Sequence, residues 1–306
     1  MVLGVAIAQP AVFGIVNGAA FGLVAIGLVM IYKSSRVFNF AAGEFATIGA
    51  FGTYIGVKIL GLPYVLAALV GIAAGTAFGL VTERLVVRPL ANRPKVTVLV
   101  ATAAIATIAI PLELMIGGVK TFPARPAFEN GVSIGGVHLI SKLGPSIFGV
   151  RVSPQLLLII VALIAIGVAL AWFFGRTDLG LATLATSQEP TAGRLVGIRL
   201  NRISMLTWGV AGFLGGLAGV LLAPVTASFT AGYGTTGVLI SAFTAAVVGG
   251  MTSVPGAFVG GILVGLVQTY AQFDVTKVTG ASSVALLIML VAVLLVRPTG
   301  ILGKEA

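Results

Sequence analysis

Uncharged apolar stretches recur along this chain at the length a bilayer demands. A helix crossing the hydrocarbon core needs about 20 apolar residues. Seven such runs are plain, at roughly 4–32, 37–57, 62–82, 96–118, 154–174, 203–222 and 256–273, and the second and fourth each enclose one acid. Two shorter runs, about 238–250 and 283–296, would rise only about 21 Å as helices, so each is either extended by its neighbours or re-entrant. The expected fold is an all-α polytopic membrane protein of about 8–9 transmembrane helices, with room for re-entrant or broken segments, forming a single transmembrane domain over residues 1–306. Charged residues make up 8% of the chain, against about 25% in soluble domains, which excludes a soluble enzyme or a disordered scaffold.

The net charge of +10 arises because 18 Lys and Arg face only 8 Asp and Glu. These bases lie in separated groups between apolar runs and do not form the basic face that nucleic-acid binding requires, so the charge reads as membrane topology and no nucleic-acid partner is expected. Counting nine crossings, one side holds 12 bases, among them Lys33, Arg36, Arg84, Arg88, Arg176 and Arg199, and the other holds 6, including Lys58, Lys120 and Lys277. The positive-inside rule makes the richer side cytoplasmic, with the C-terminus inside and the N-terminus outside. The long connections are then an external loop at about 119–153, with a small hairpin expected around Gly135-Gly136, and a cytoplasmic loop at about 175–202.

Chemistry is limited by what residue types are present. Cysteine is absent and His138 is the sole histidine, which removes thiol nucleophiles, cysteine-ligated metal and histidine clusters. No G-x-x-x-x-G-K-[ST] sequence occurs, so the chain lacks the phosphate cradle of a P-loop ATPase. No cofactor is expected in this chain, and energy for any transport must come from a gradient or from another subunit.

Four places carry residues of mechanistic interest. Glu44 lies in the otherwise uncharged Asn39-Phe40-Ala41-Ala42-Gly43-Glu44-Phe45. A helix starting at Val37 would put it about 10 Å deep, where an acid must face a cavity, a partner or the protein interior; a start one turn later would put it near headgroups, with Asn39 or Gly43 at an irregular entry. Asn39 and Glu44 are thus candidates for a substrate path. Glu113 follows Pro111 about 25 Å along its helix, which places it near the outer interface, and Pro111 itself bends the helix by removing an amide donor. The run Gly249-Gly250-Met251-Thr252-Ser253-Val254-Pro255-Gly256 is either an interrupted helix exposing backbone to a path or a cytoplasmic turn. Pro111, Pro255 and Gly256 are therefore candidates for a hinge or gate. In the inner loop, Glu189-Pro190-Thr191-Ala192-Gly193-Arg194-Leu195-Val196-Gly197 reads as a short helix begun by Glu189 and Pro190 and stopped by Gly197. Glycines at four-residue spacing (Gly14, Gly18, Gly22; Gly71, Gly75, Gly79; Gly212, Gly216, with Gly215, Gly219; Gly256, Gly260, with Gly261, Gly265) mark close helix packing within the chain.

Taken together, Asn39 to Phe45, Glu189 to Ile198, Ala242 to Gly250 with Pro255-Gly256-Ala257, and the ending Arg297-Pro298-Thr299-Gly300-Ile301-Leu302-Gly303 resemble the LivH-type permease of bacterial branched-chain amino acid ABC importers, in the same order over nearly the whole chain. The resemblance implies an inner-membrane permease subunit, itself not an enzyme, paired with a homologous or identical second permease, two ATP-binding subunits that hydrolyse ATP, and an extracytoplasmic solute-binding protein. It further implies that Glu189, Pro190, Arg194, Leu195 and Gly197 form the element that docks on an ATPase. Permeases for urea and short-chain amides share much of the pattern. A proton-coupled secondary carrier using Glu44 is the reading from another class.

Overall fold

The computed structural model describes every residue except 1, 119, 125, 127–131, 135–136, 141–145, 148–149, 152, 190–192, 194, 196, 275–279 and 304–306. It is almost wholly helical. In chain order the helices are α1 (Val2–Ser35), α2 (Ala42–Lys58), α3 (Tyr64–Thr82, continued by a π-helical turn Glu83–Val87), α4 (Lys95–Gly117), α5 (Pro154–Arg176), α6 (Asp178–Gln188), α7 (Leu200–Leu222), α8 (Leu239–Gly249, preceded by a π-helical turn Gly234–Val238), α9 (Val254–Asp274) and α10 (Ala281–Val296). Six are long and apolar enough to cross a membrane, over Gln9–Ser35, Tyr64–Val87, Lys95–Met115, Pro154–Arg176, Leu200–Leu222 and Val254–Phe273. The protein is therefore a multi-pass membrane protein; among the described residues six helices have full crossing length, and the eight or nine crossings expected from sequence would need shorter helices as well. Those would be α2, α8 and α10.

The core is built on glycine. Helices α1 and α7 are the two most enclosed spans, and each meets a partner where small residues on both sides let the backbones touch. On α1, Gly14, Gly18 and Gly22 lie against Gly261 and Gly265 of α9, and a Cβ placed on Gly18 would come 2.5 Å from the Gly261 carbonyl oxygen. On α3, Gly71, Gly75 and Gly79 lie against α7, where a Cβ on Gly75 would come 2.8 Å from the Gly216 Cα. The four glycine series thus mate within the chain, as van der Waals packing between helices in lipid favours.

Two breaks shape the interior. After Ser35 the chain reverses through Arg36, which has φ of 56°, and runs back along α1. Phe38 stacks on Tyr32 with ring centroids 4.9 Å apart, and the Phe40 N–H donates to Thr102 Oγ1 at 3.3 Å. Helix α2 accordingly begins at Ala42, not Val37, and its first turn lies inside the protein. The second break follows α7. Residues 223–233 fold back as a non-helical strap before the helical turn at Gly234, and Gly234 lies so close to Gly43 that neither position has room for a Cβ.

Small strand pairs tie the loops. Phe122–Pro123 pairs antiparallel with Ser228–Phe229, fastening the connection after α4 to the strap. Val132–Ile134 pairs with Val137–Ile140, the hairpin expected from sequence, although its Gly135-Gly136 corner lies outside the described residues. Ser146–Ile147 pairs with Val150–Arg151.

At the end of α3 a fork-shaped ion pair forms, Arg88 donating to Glu83 through Nη2 at 2.8 Å and Nε at 3.2 Å. Glu83 is fully enclosed while Arg88 keeps some solvent. Removing one partner of such a pair strands a buried charge, so Arg88→Ala is expected to lower stability by about 3 kcal/mol. Glu83→Gln combined with Arg88→Met should recover most of that loss. Thermal unfolding of the purified protein in detergent reads both.

Candidate functional site

The starts of two helices converge where the breaks meet. The first turn of α2 brings Gly43, Glu44 and Thr47 against the turn Gly234–Val238, and the Gly234 N–H donates to Thr47 Oγ1 at 2.9 Å. From α4 comes Glu113, whose Oε2 accepts the Gly232 N–H at 2.8 Å. The Glu113 and Glu44 carboxyl groups face one another within direct interaction range. Glu44 has no solvent exposure at all, and Asn39, Thr47 and Thr102 are equally enclosed.

The arrangement leaves an unusual set of atoms unsatisfied. Both oxygens of Glu44, Oε1 of Glu113, Nδ2 of Asn39 and Oγ1 of Thr235 are buried without a hydrogen-bond partner. Most buried polar atoms in proteins are paired, and an intramembrane acid without a partner is costly. Three of the five are carboxylate oxygens, which only accept when ionised. Around them stand positive features of the backbone, because the free N–H groups of a helix start carry partial positive charge. Acids able to hold a cation and helix starts able to hold an anion therefore occupy one locality, close to the Asn39 amide, whose Oδ1 is engaged by the Ala41 N–H at 3.0 Å.

Two aromatic clusters lie on the elements that carry these residues. Toward the Lys58 end of α2, Phe51, Tyr54, Phe122, Phe229 and Tyr233 pack together, with Phe122 stacked on Phe229 at 5.5 Å. Toward the Lys33 end of α1, Phe38 bridges Tyr32 and Phe243.

Glu44 and Asn39 are thus both enclosed by the protein, but by a route neither sequence alternative contained. The helix starts late, as one alternative had it, and Glu44 is nevertheless deep, because the chain re-enters before the helix begins. Glu113 has surroundings that counting rise from Val96 did not supply: the strap covers it and donates the Gly232 amide to it. The signal that would have found it was in view, since it is the other acid enclosed in an apolar run. Thr47, Thr102 and Thr235 carried no signal that distinguishes them from packing threonines.

The remaining candidates lie elsewhere. Pro111 sits inside α4, two residues before Glu113. Pro255 lies in the first turn of α9, and Gly256 packs on Gly249. The connection between α8 and α9 is a tight turn, with Gly250 at φ 106° and the Gly256 N–H capped by Ser253 Oγ at 3.0 Å. In the loop after α6, Glu189 closes α6 with extended backbone, and its carbonyl accepts the Gly193 N–H, the bond a residue makes at the start of a helical turn. Gly193 and Leu195 are helical, and Gly197 turns the chain with φ 86°. Leu195 is 84% exposed. Pro190 and Arg194 lie outside the described residues.

Residues 11–294 match the family model described as branched-chain amino acid transport system / permease component. The chain belongs to that family. This permease is 33% identical to the high-affinity branched-chain amino acid transport system permease protein BraD of Pseudomonas aeruginosa, over 97% of this chain and 95% of that protein. It is 30% identical to the corresponding protein LivH of Escherichia coli K12, over 95% and 94%. Among solved structures, PsaBC from Streptococcus pneumoniae in complex with Fab aligns with a TM-score of 0.52 at 12% identity, covering 94% of this permease and 91% of that chain; at that identity the likeness concerns fold alone.

Proposed function

We propose that this permease passes branched-chain amino acids inward as one subunit of an ATP-driven importer, and that the locality between Glu44, Glu113 and Thr235 receives the amino acid's charged end. The observation that carries this reading is the set of unpartnered atoms. A primary ammonium has three N–H donors, and three carboxylate oxygens there lack a donor. The substrate carboxylate would meet the Asn39 amide, the Thr235 hydroxyl and the two helix starts, which favour negative charge. Urea and amides also donate N–H bonds to carboxylates but bring no positive charge to offset a pair of acids, which favours a zwitterion as cargo.

The partners follow from family membership: a second, homologous or identical permease, two ATP-binding subunits, an extracytoplasmic solute-binding protein and the surrounding bilayer of the bacterial inner membrane. The 12-base face, with Lys33, Arg88 and Arg176, is the cytoplasmic one, and the C-terminus lies on it. The aromatic clusters serve as outer and inner gates, and the ATPases alternate them by favouring one state over the other. They act through the element from Glu189 to Gly197, whose exposed Leu195 supplies the apolar contact. Replacing Leu195 with Glu is expected to leave membrane insertion intact and to reduce recovery of the ATP-binding subunits on affinity purification by about tenfold, the size of one buried leucine anchor. Unchanged recovery would remove Leu195 from the docking role.

A further inference from the structure

An open groove of about 630 Å³ lies between α1, α5 and α9, with Leu184 and Leu302 also in its lining. Its volume falls in the range of small-molecule sites. What distinguishes it is the order of its lining. At one end stand Lys33 of α1, Gly175 and Phe174 of α5, and Thr252 and Ser253 at the start of α9; deeper lie Ile26, Gly167, Leu170, Phe258 and Val259. From Lys33 to Ile26, from Phe174 to Gly167 and from Ser253 to Val259 the descent is six or seven residues, about 10 Å in each helix. Two of these elements, α1 through Lys33 and the start of α9 through Thr252 and Ser253, therefore turn from polar to apolar over the same rise, while the α5 wall is apolar throughout.

We infer that this groove binds one anionic phospholipid, with the phosphate at Lys33 and Ser253 and an acyl chain along Gly167, Leu170 and Val259. Charge complementarity selects an anion. Lys33 is partly enclosed, and among the described residues no ion pair joins it to an acid. The Ser253 hydroxyl already accepts the Gly256 N–H at 3.0 Å, so its own proton is free to donate outward, beside the N-terminus of a 21-residue helix. Basic pockets between membrane helices at headgroup level are suited to anionic lipids. Gly167 leaves the apolar half open, since a Cβ there would meet no atom within 4 Å.

The test uses the complete transporter, reconstituted in nanodiscs containing equal phosphatidylglycerol and phosphatidylcholine, then released and examined by native mass spectrometry for retained lipid. Wild type is expected to retain the anionic lipid in preference. Lys33→Gln should lower the anionic-to-zwitterionic ratio by about fivefold, the size expected of one lysine at a membrane surface. Lys33→Arg should keep the ratio. Gly167→Leu should lower retention of both lipids by filling the apolar half. Equal retention of the two lipids by wild type, or a ratio unmoved by Lys33→Gln, would overturn the assignment, and so would full retention by Gly167→Leu.

Discussion

Glu44→Gln is expected to lower ATP-driven amino acid uptake by the complete transporter by about tenfold or more, with the assembled complex recovered in normal yield. The size follows from removing hydrogen bonds to a charged group, about 1.5–3 kcal/mol, where each 1.4 kcal/mol is a factor of ten. Among the described residues no donor pairs with the Glu44 oxygens and its one carboxyl neighbour is Glu113, so glutamine in its place removes the charge while keeping the shape and the contact with Glu113. Glu113→Gln should behave similarly, because a glutamine oxygen still accepts the Gly232 N–H that the carboxylate holds at 2.8 Å. The two acids face each other and would grip the same ammonium, so the double variant should lose less than the product of the single losses. Initial rates of labelled leucine uptake into proteoliposomes measure all three. Wild-type rates in both single variants would remove the pair from the substrate path.

Gly18→Leu is expected to abolish recovery of monodisperse protein. The Gly261 carbonyl oxygen lies 2.5 Å from where the first added carbon must go. This neighbour is backbone, so relief requires α1 and α9 to separate along the seam that also includes Gly14, Gly22 and Gly265. Overpacking a tight core costs about 1–3 kcal/mol, occasionally more, and here several glycines lose contact together. Gly167→Leu is the matched control, because its Cβ meets open space. Size-exclusion profiles and thermal unfolding in detergent compare the two, and equal stability would contradict the packing described.

Where the sequence was legible, a periodic or compositional rule acted locally. Hydrophobic length located α1, α3, α4, α5, α7 and α9, since each must satisfy its own backbone in lipid. Glycine spacing announced close packing, and here it resolved into two mated seams. The pairing of Val132–Ile134 with Val137–Ile140 followed from turn chemistry in the sequence between them. The re-entry of residues 36–41 and the strap at 223–233 were not legible, because their polar backbone is satisfied by distant partners: Thr102 for Phe40, Thr47 for Gly234, and Glu113 for Gly232. These contacts join residues 62, 187 and 119 positions apart, and no local pattern encodes them. The same long reach hid the surroundings of Glu113, since counting along one helix carries no sign of the strap from another part of the chain that encloses it. Helix α6 was hidden for another reason, since Asp178–Gln188 has a mixed composition that reads equally well as a solvated connector.

The central claim is that this chain is a passage worked by other subunits. Leucine accumulation by proteoliposomes tests it most directly, comparing the permease alone with the complete transporter supplied with ATP and solute-binding protein. The complete transporter should concentrate leucine whether or not a proton uncoupler is present, and the permease alone should not. Uphill accumulation by the permease alone, abolished by the uncoupler, would contradict the claim and make Glu44 the titrating group of a secondary carrier.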